Sequence, residues 1–137
     1  MSGDEFIHEG IYNTKSEAYQ VTVRLLDEFY ALAQKNSSVP ILLLFPQKED
    51  FKTFIRLGQI SYSPLLEHIQ GKGYSYIDLF DAFRAYAKGQ EYKKLFPLHS
   101  SHYTTEGNRL VAEHIFAYLK KNHLLEKDSV EQLKKHP

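Results

Sequence analysis

The run His99-Ser100-Ser101-His102-Tyr103-Thr104-Thr105-Glu106-Gly107 sets two imidazoles and several hydroxyls at the approach to a helix. Thr104 is a helix-capping residue type, and Gly107 falls in the first turn that follows. A histidine two residues ahead of such a cap sits on a short segment that a rigid element holds but solvent reaches. That placement suits proton transfer, and it makes His102 the candidate general base. The bland alternative is an imidazole that merely packs near the helix start. Gly107 fits either reading, since a residue without Cβ lets backbone or substrate come close.

The other histidines add little. The chain holds seven, at positions 8, 68, 99, 102, 114, 123 and 136. His99 and His102 could hold Zn²⁺ with Glu106, but no His-Glu-x-x-His pattern occurs and His114 and His123 read as helix-face residues. No metal and no cofactor is expected. The chain has no cysteine, so thiolate catalysis and Cys-based zinc sites are excluded.

Around the block lie the elements that must position it. Ser16 can cap a helix running to about Asn36, with Ala18, Leu25, Leu26, Phe29, Leu32 and Ala33 largely on one face. Ile41-Leu42-Leu43-Leu44-Phe45 is an unbroken apolar run between Pro40 and Pro46, which predicts a strand covered on both faces, as in a parallel sheet. One or two short helices follow, the second near Pro64–Gln70 and ended by Gly71 and Gly73. Tyr74–Ile77 predicts a second strand with Asp78 at its carboxyl end, where Asp78 would cap the helix Leu79–Ala87. A loop, Gln90–Ser101, leads to His102. Thr104 then starts a helix to about Asn122 with Val111, His114, Ile115, Tyr118 and Leu119 inward. Residues 1–14 read as a tail or incoming loop, 15–123 as one α/β domain, and 124–137 as a charged extension. Two parallel strands are too few for four covering helices, so another chain or residues outside this one would complete the sheet.

Composition sets outer bounds. The 137 residues suffice for one domain with a real core. Seventeen basic and seventeen acidic residues cancel, so no global field draws nucleic acid or an anionic membrane. A hydrophobic fraction of 42% argues against disorder. The first residues lack a basic flank followed by an apolar run, and Val39–Pro46 is too short to span a bilayer, so a cytoplasmic location is the default expectation.

The block at His102, with Thr104-x-x-Gly107 and the amphipathic helix behind it, resembles the last conserved block of the SGNH (GDSL-type) hydrolases. Residues from about Ser16 to Asn122 look like the C-terminal half of such a domain: helix, buried strand ending in Phe45-Pro46, a strand leading into Ile77-Asp78-Leu79, then the histidine and a final helix. The resemblance implies a three-layer α/β/α fold, a flavodoxin-like parallel sheet incomplete in this chain, with the active site at the carboxyl ends of the strands. It implies acyl transfer: ester hydrolysis or O-acyl transfer to a sugar hydroxyl, with His102 as general base and a small-molecule or carbohydrate ester as substrate. His99, Ser100 and Ser101 would line the pocket, and Tyr103 with Phe45-Pro46 would form its walls. The departures are specific. Triad-acid positions hold Ser100 and His99, with Asp78 or Asp81 as spatial substitutes, and no Gly-Asp-Ser block supplies a nucleophile. The serine would come from a missing N-terminal half or a partner chain. The alternative is an inactive relic serving as a binding or structural module.

Overall fold

A computed structural model of the chain describes residues 5–97 and 102–125. It is a mixed α/β structure with two small sheets, divided into two compact units, Met1–Asp78 and Leu79–Pro137.

The first unit opens with a hairpin where a tail or loop was expected. Strands β1 (Ile7–His8) and β2 (Ile11–Tyr12) pair antiparallel, Ile7 opposite Tyr12 and His8 opposite Ile11. Glu9 and Gly10 turn the chain with φ of 52° and 92°, the left-handed pair that a two-residue hairpin demands. A Cβ at Gly10 would lie 2.5 Å from Arg56 Nη2, the movable end of a long side chain, so the left-handed backbone is what calls for glycine. The Tyr12 N–H donates to the Ser61 carbonyl at 2.8 Å, which ties the hairpin into the unit.

Helix α1 (Glu17–Lys35) begins and ends as its sequence predicts. Ser16 is fully buried, and its Oγ accepts from the Tyr19 N–H at 3.2 Å. The face that packs is not the expected one. Tyr19, Val23 and Tyr30 are buried, whereas Leu25, Phe29 and Leu32 are exposed. The reason is polar anchoring by side chains that hydropathy alone places outside. The Tyr30 hydroxyl accepts from the Ser75 N–H at 2.7 Å, and its ring stacks on Tyr74 at 3.9 Å. Asp27 Oδ1 accepts from the Tyr74 hydroxyl and pairs with His68 Nε2, each at 2.8 Å, while Lys72 lies 3.3 Å from Oδ2. These bonds rotate α1 so that its tyrosines, not its leucines, face inward.

Strand β3 (Leu42–Leu44) is followed by α2 (Lys48–Leu57), α3 (Ser63–Gly71) and β4 (Tyr76–Asp78). The two strands pair in parallel, Leu42 with Tyr76, Leu43 with Ile77 and Leu44 with Asp78. The helices between them provide the crossover that a parallel pair needs. Leu42 and Ile77 are buried, but Leu43 is 39% exposed. The run is therefore covered on one face only, against the expectation for a central parallel strand. Pro46 is fully buried and Phe45 exposed.

The second unit contains α4 (Leu79–Tyr86), a 3₁₀ helix (Gly89–Leu95) where a loop was expected, and α5 (Thr105–Lys121). Phe83, Tyr92, Leu95 and Phe96 are buried. Along α5, Val111, Ile115, Tyr118 and Leu119 are half-buried as predicted, but His114 is exposed. All but the first residues of the charged extension fall outside the described residues.

Candidate functional site

The segment before α5 is built by three residues that each have a packing role. Tyr103 is half-buried, with its ring 4.9 Å from Phe83 and 5.3 Å from Phe96, both tilted edge-on. The Thr104 N–H donates to the Leu95 carbonyl at 2.9 Å. Its Oγ1 accepts from the Gly107 N–H and reaches the Lys94 carbonyl, each at 3.2 Å, so one side chain caps α5 and clamps it to the 3₁₀ helix. Gly107 is buried, and a Cβ there would sit 2.9 Å from both the Leu95 oxygen and Tyr103 Cβ. Close approach of backbone to backbone is what requires glycine.

His102 sits immediately before these anchors and is exposed. The Tyr103 ring packing and the Thr104 cap hold the chain directly after it, while residue 102 itself is open to solvent. Tyr103, expected as a pocket wall, is one of those anchors. His99, Ser100 and Ser101 lie outside the described residues.

Among the described residues, the carboxylates of this unit are paired with cations. Glu106 accepts from Arg109 Nε at 3.0 Å and Nη2 at 2.6 Å, a two-pronged pair on the first turns of α5. Arg109 also pairs with Glu113. The Arg109 bonds, with a further one from the Tyr86 hydroxyl, hold the Glu106 carboxyl down at about 2. The same bond to Glu106 pushes the Tyr86 phenol up. Glu106 is thus a weak proton acceptor. Asp81, one of the spatial substitutes for a triad acid, is largely exposed and lies 3.2 Å from Arg84.

In the first unit, a polar cluster that the sequence did not disclose gathers at the carboxyl end of the parallel pair, the end at which open α/β sheets bind ligands. Asp78 closes β4, and its Oδ1 accepts from the Tyr62 hydroxyl at 2.7 Å. Asp50, on the first turn of α2, is buried and accepts from the Gln47 N–H at 2.6 Å. Burial pushes the Asp50 carboxyl up; bonds from Gln47 and Ser61 offset part of this, and the charges of Asp78 and Glu49 add to the rise. Burial, with the Asp50 charge, also raises the Tyr12 phenol. Asp50 stands in the polar stretch Gln47–Asp50, which looks like ordinary helix-start chemistry; the capping bond it makes is what draws it inside. Beside this cluster a groove of about 740 Å³, lined by His8, Tyr12, Asn13, Arg56 and Gln59 among others, opens along the hairpin.

Among the described residues, no helix is long and apolar enough to cross a membrane, and no three His, Cys, Asp or Glu residues group as metal ligands. No family model matches the chain, and no curated protein or solved structure matches it.

Proposed function

We propose that the chain is the C-terminal part of an SGNH-type acyl hydrolase or O-acyltransferase, in which His102 is the general base. The observation that supports this reading is an exposed histidine directly ahead of a helix start that Tyr103, Thr104 and Gly107 hold in place. In the reaction, His102 takes the proton of a serine hydroxyl as its oxygen attacks the acyl carbonyl. The imidazolium then returns that proton to the departing alkoxide. In the second half, His102 deprotonates water or a sugar hydroxyl, which displaces the acyl group from serine, and the imidazolium returns the proton to the departing serine oxygen. The serine and its oxyanion donors come from a segment outside this chain. That segment also extends the sheet beyond β3, converting the two-stranded parallel pair into the three-layer α/β/α sandwich.

A second reading, a non-catalytic module that retains the fold, is favoured by the residues two and three before His102. They are Ser100 and His99, where an orienting carboxylate would stand.

One experiment separates the two. The chain is co-expressed with the coding sequence immediately upstream, and the purified assembly is assayed for p-nitrophenyl acetate hydrolysis. Turnover that disappears in His102→Ala supports the acyl-transfer reading. Turnover that survives the substitution contradicts it. Turnover no faster than buffer contradicts it in favour of the non-catalytic module.

A further inference from the structure

Helix α1 is apolar on two sides, and only one of them is used. Opposite the buried Tyr19, Val23 and Tyr30 runs a second stripe of Ala18, Val21, Leu25, Phe29 and Leu32. Its large members are 47%, 65%, 48% and 59% exposed, in chain order. At about 100° per residue these five positions fall within an arc of about 80°. A stripe of this length on one helix is an interaction surface rather than a scatter of single exposed residues.

The charges beside the stripe say what covers it. Along one border stand Glu17, Arg24, Glu28 and Lys35, all exposed. Among the described residues none of the four is in an ion pair. Their signs are opposed about position 26: Glu17 and Lys35 lie equally far from it on either side, and so do Arg24 and Glu28. In an antiparallel pair of identical helices about a two-fold axis, each border faces its own copy. Each residue then meets the one equally distant beyond the axis. Glu17 of one copy meets Lys35 of the other, and Arg24 meets Glu28, with every pair occurring twice. Within one residue of the same centre, Val21 faces Leu32 and Leu25 faces Phe29. A parallel pair would instead set the charged border against the uncharged one of Thr22 and Ala33 and form no ion pair.

We propose that the chain self-associates through α1 as an antiparallel two-fold dimer, with Leu25 and Phe29 at its centre and the Glu17–Lys35 and Arg24–Glu28 pairs along one border. The proposal does not depend on the role of His102, and its test has no activity readout.

The test is sedimentation of the full chain from the micromolar to the submillimolar range. A monomer–dimer equilibrium is expected. Arg24→Glu or Glu28→Arg alone sets like charges together twice, and each should weaken dimerisation about tenfold. The two combined should restore it. Leu25→Glu should abolish it, and circular dichroism should show its fold intact because residue 25 is exposed. A wild-type chain that stays monomeric throughout overturns the proposal. So does a dimer indifferent to Leu25→Glu, or a charge swap that fails to recover. If the co-expressed upstream segment binds one-to-one and Leu25→Glu releases it, that segment is the occupant and the self-association proposal is wrong.

Discussion

Gly107 shows how closely one position in the histidine block is specified. Alanine in a helix is normally favoured over glycine by about 1 kcal/mol. Here its Cβ would press on the Leu95 carbonyl and on Tyr103. Neither yields easily, because one is backbone and the other is wedged between Phe83 and Phe96. Gly107→Ala should therefore destabilise the protein by ~1–2 kcal/mol in urea unfolding, overpacking outweighing helix propensity. A stabilised variant would show that this close approach is absent. The residue types of the block, Thr104 as cap and Gly107 as a point of contact, were legible in sequence. The job of Tyr103 was not, because its partners Phe83 and Phe96 come from α4 and from the residue after the 3₁₀ helix. No local pattern connects them.

Element boundaries were easier to read than element faces. Ser16 and Asn36 bracket α1 because capping chemistry is local. The inward face depends on Tyr30 meeting Ser75 and Asp27 meeting Tyr74, partners more than forty residues away. A hydropathy pattern counts tyrosine as ambiguous and aspartate as outward, so it favoured the leucine side. Paired substitutions on α1 check the assignment. Val23→Ala should cost ~2 kcal/mol in chemical unfolding, whereas Leu25→Ala should stay within ~0.5 kcal/mol under conditions where the chain is monomeric. The reverse order would restore the leucine face to the core. The hairpin of β1 and β2 was missed for a related reason. Glu9-Gly10 is a weak turn signal, and the strands beside it have two residues each, too few for an alternation to show.

At the scale of the molecule, two buried or bonded carboxylates give opposite pH dependences. Burial raises Asp27, but the bonds from His68, Tyr74 and Lys72 outweigh it and hold the carboxyl below the ordinary 3.8. Its contribution to stability is present above that value and is lost as the pH falls. Asp50 is raised above 3.8, chiefly by burial, so the folded state binds its proton more tightly than the unfolded chain does. Stability from this group falls as pH rises from 3.8 through the raised folded value. Asp50→Asn, which keeps an acceptor for the Gln47 N–H, should flatten that decline in thermal unfolding measured across the mildly acidic range. A variant with the wild-type slope would remove Asp50 as its source. The parallel pairing of β3 with β4 was foreseeable from the apolar run and the Asp-terminated strand. The exposure of Leu43 was not, because sequence records what a strand can bury and not which neighbours are present. The proposed acyl transfer by this protein requires the His102 imidazole. Its most direct measurement is the ratio of kcat/KM for p-nitrophenyl acetate between the wild-type assembly and one carrying His102→Ala. A general base in acyl transfer predicts a fall of about 10²–10⁴, while a ratio near one would contradict it.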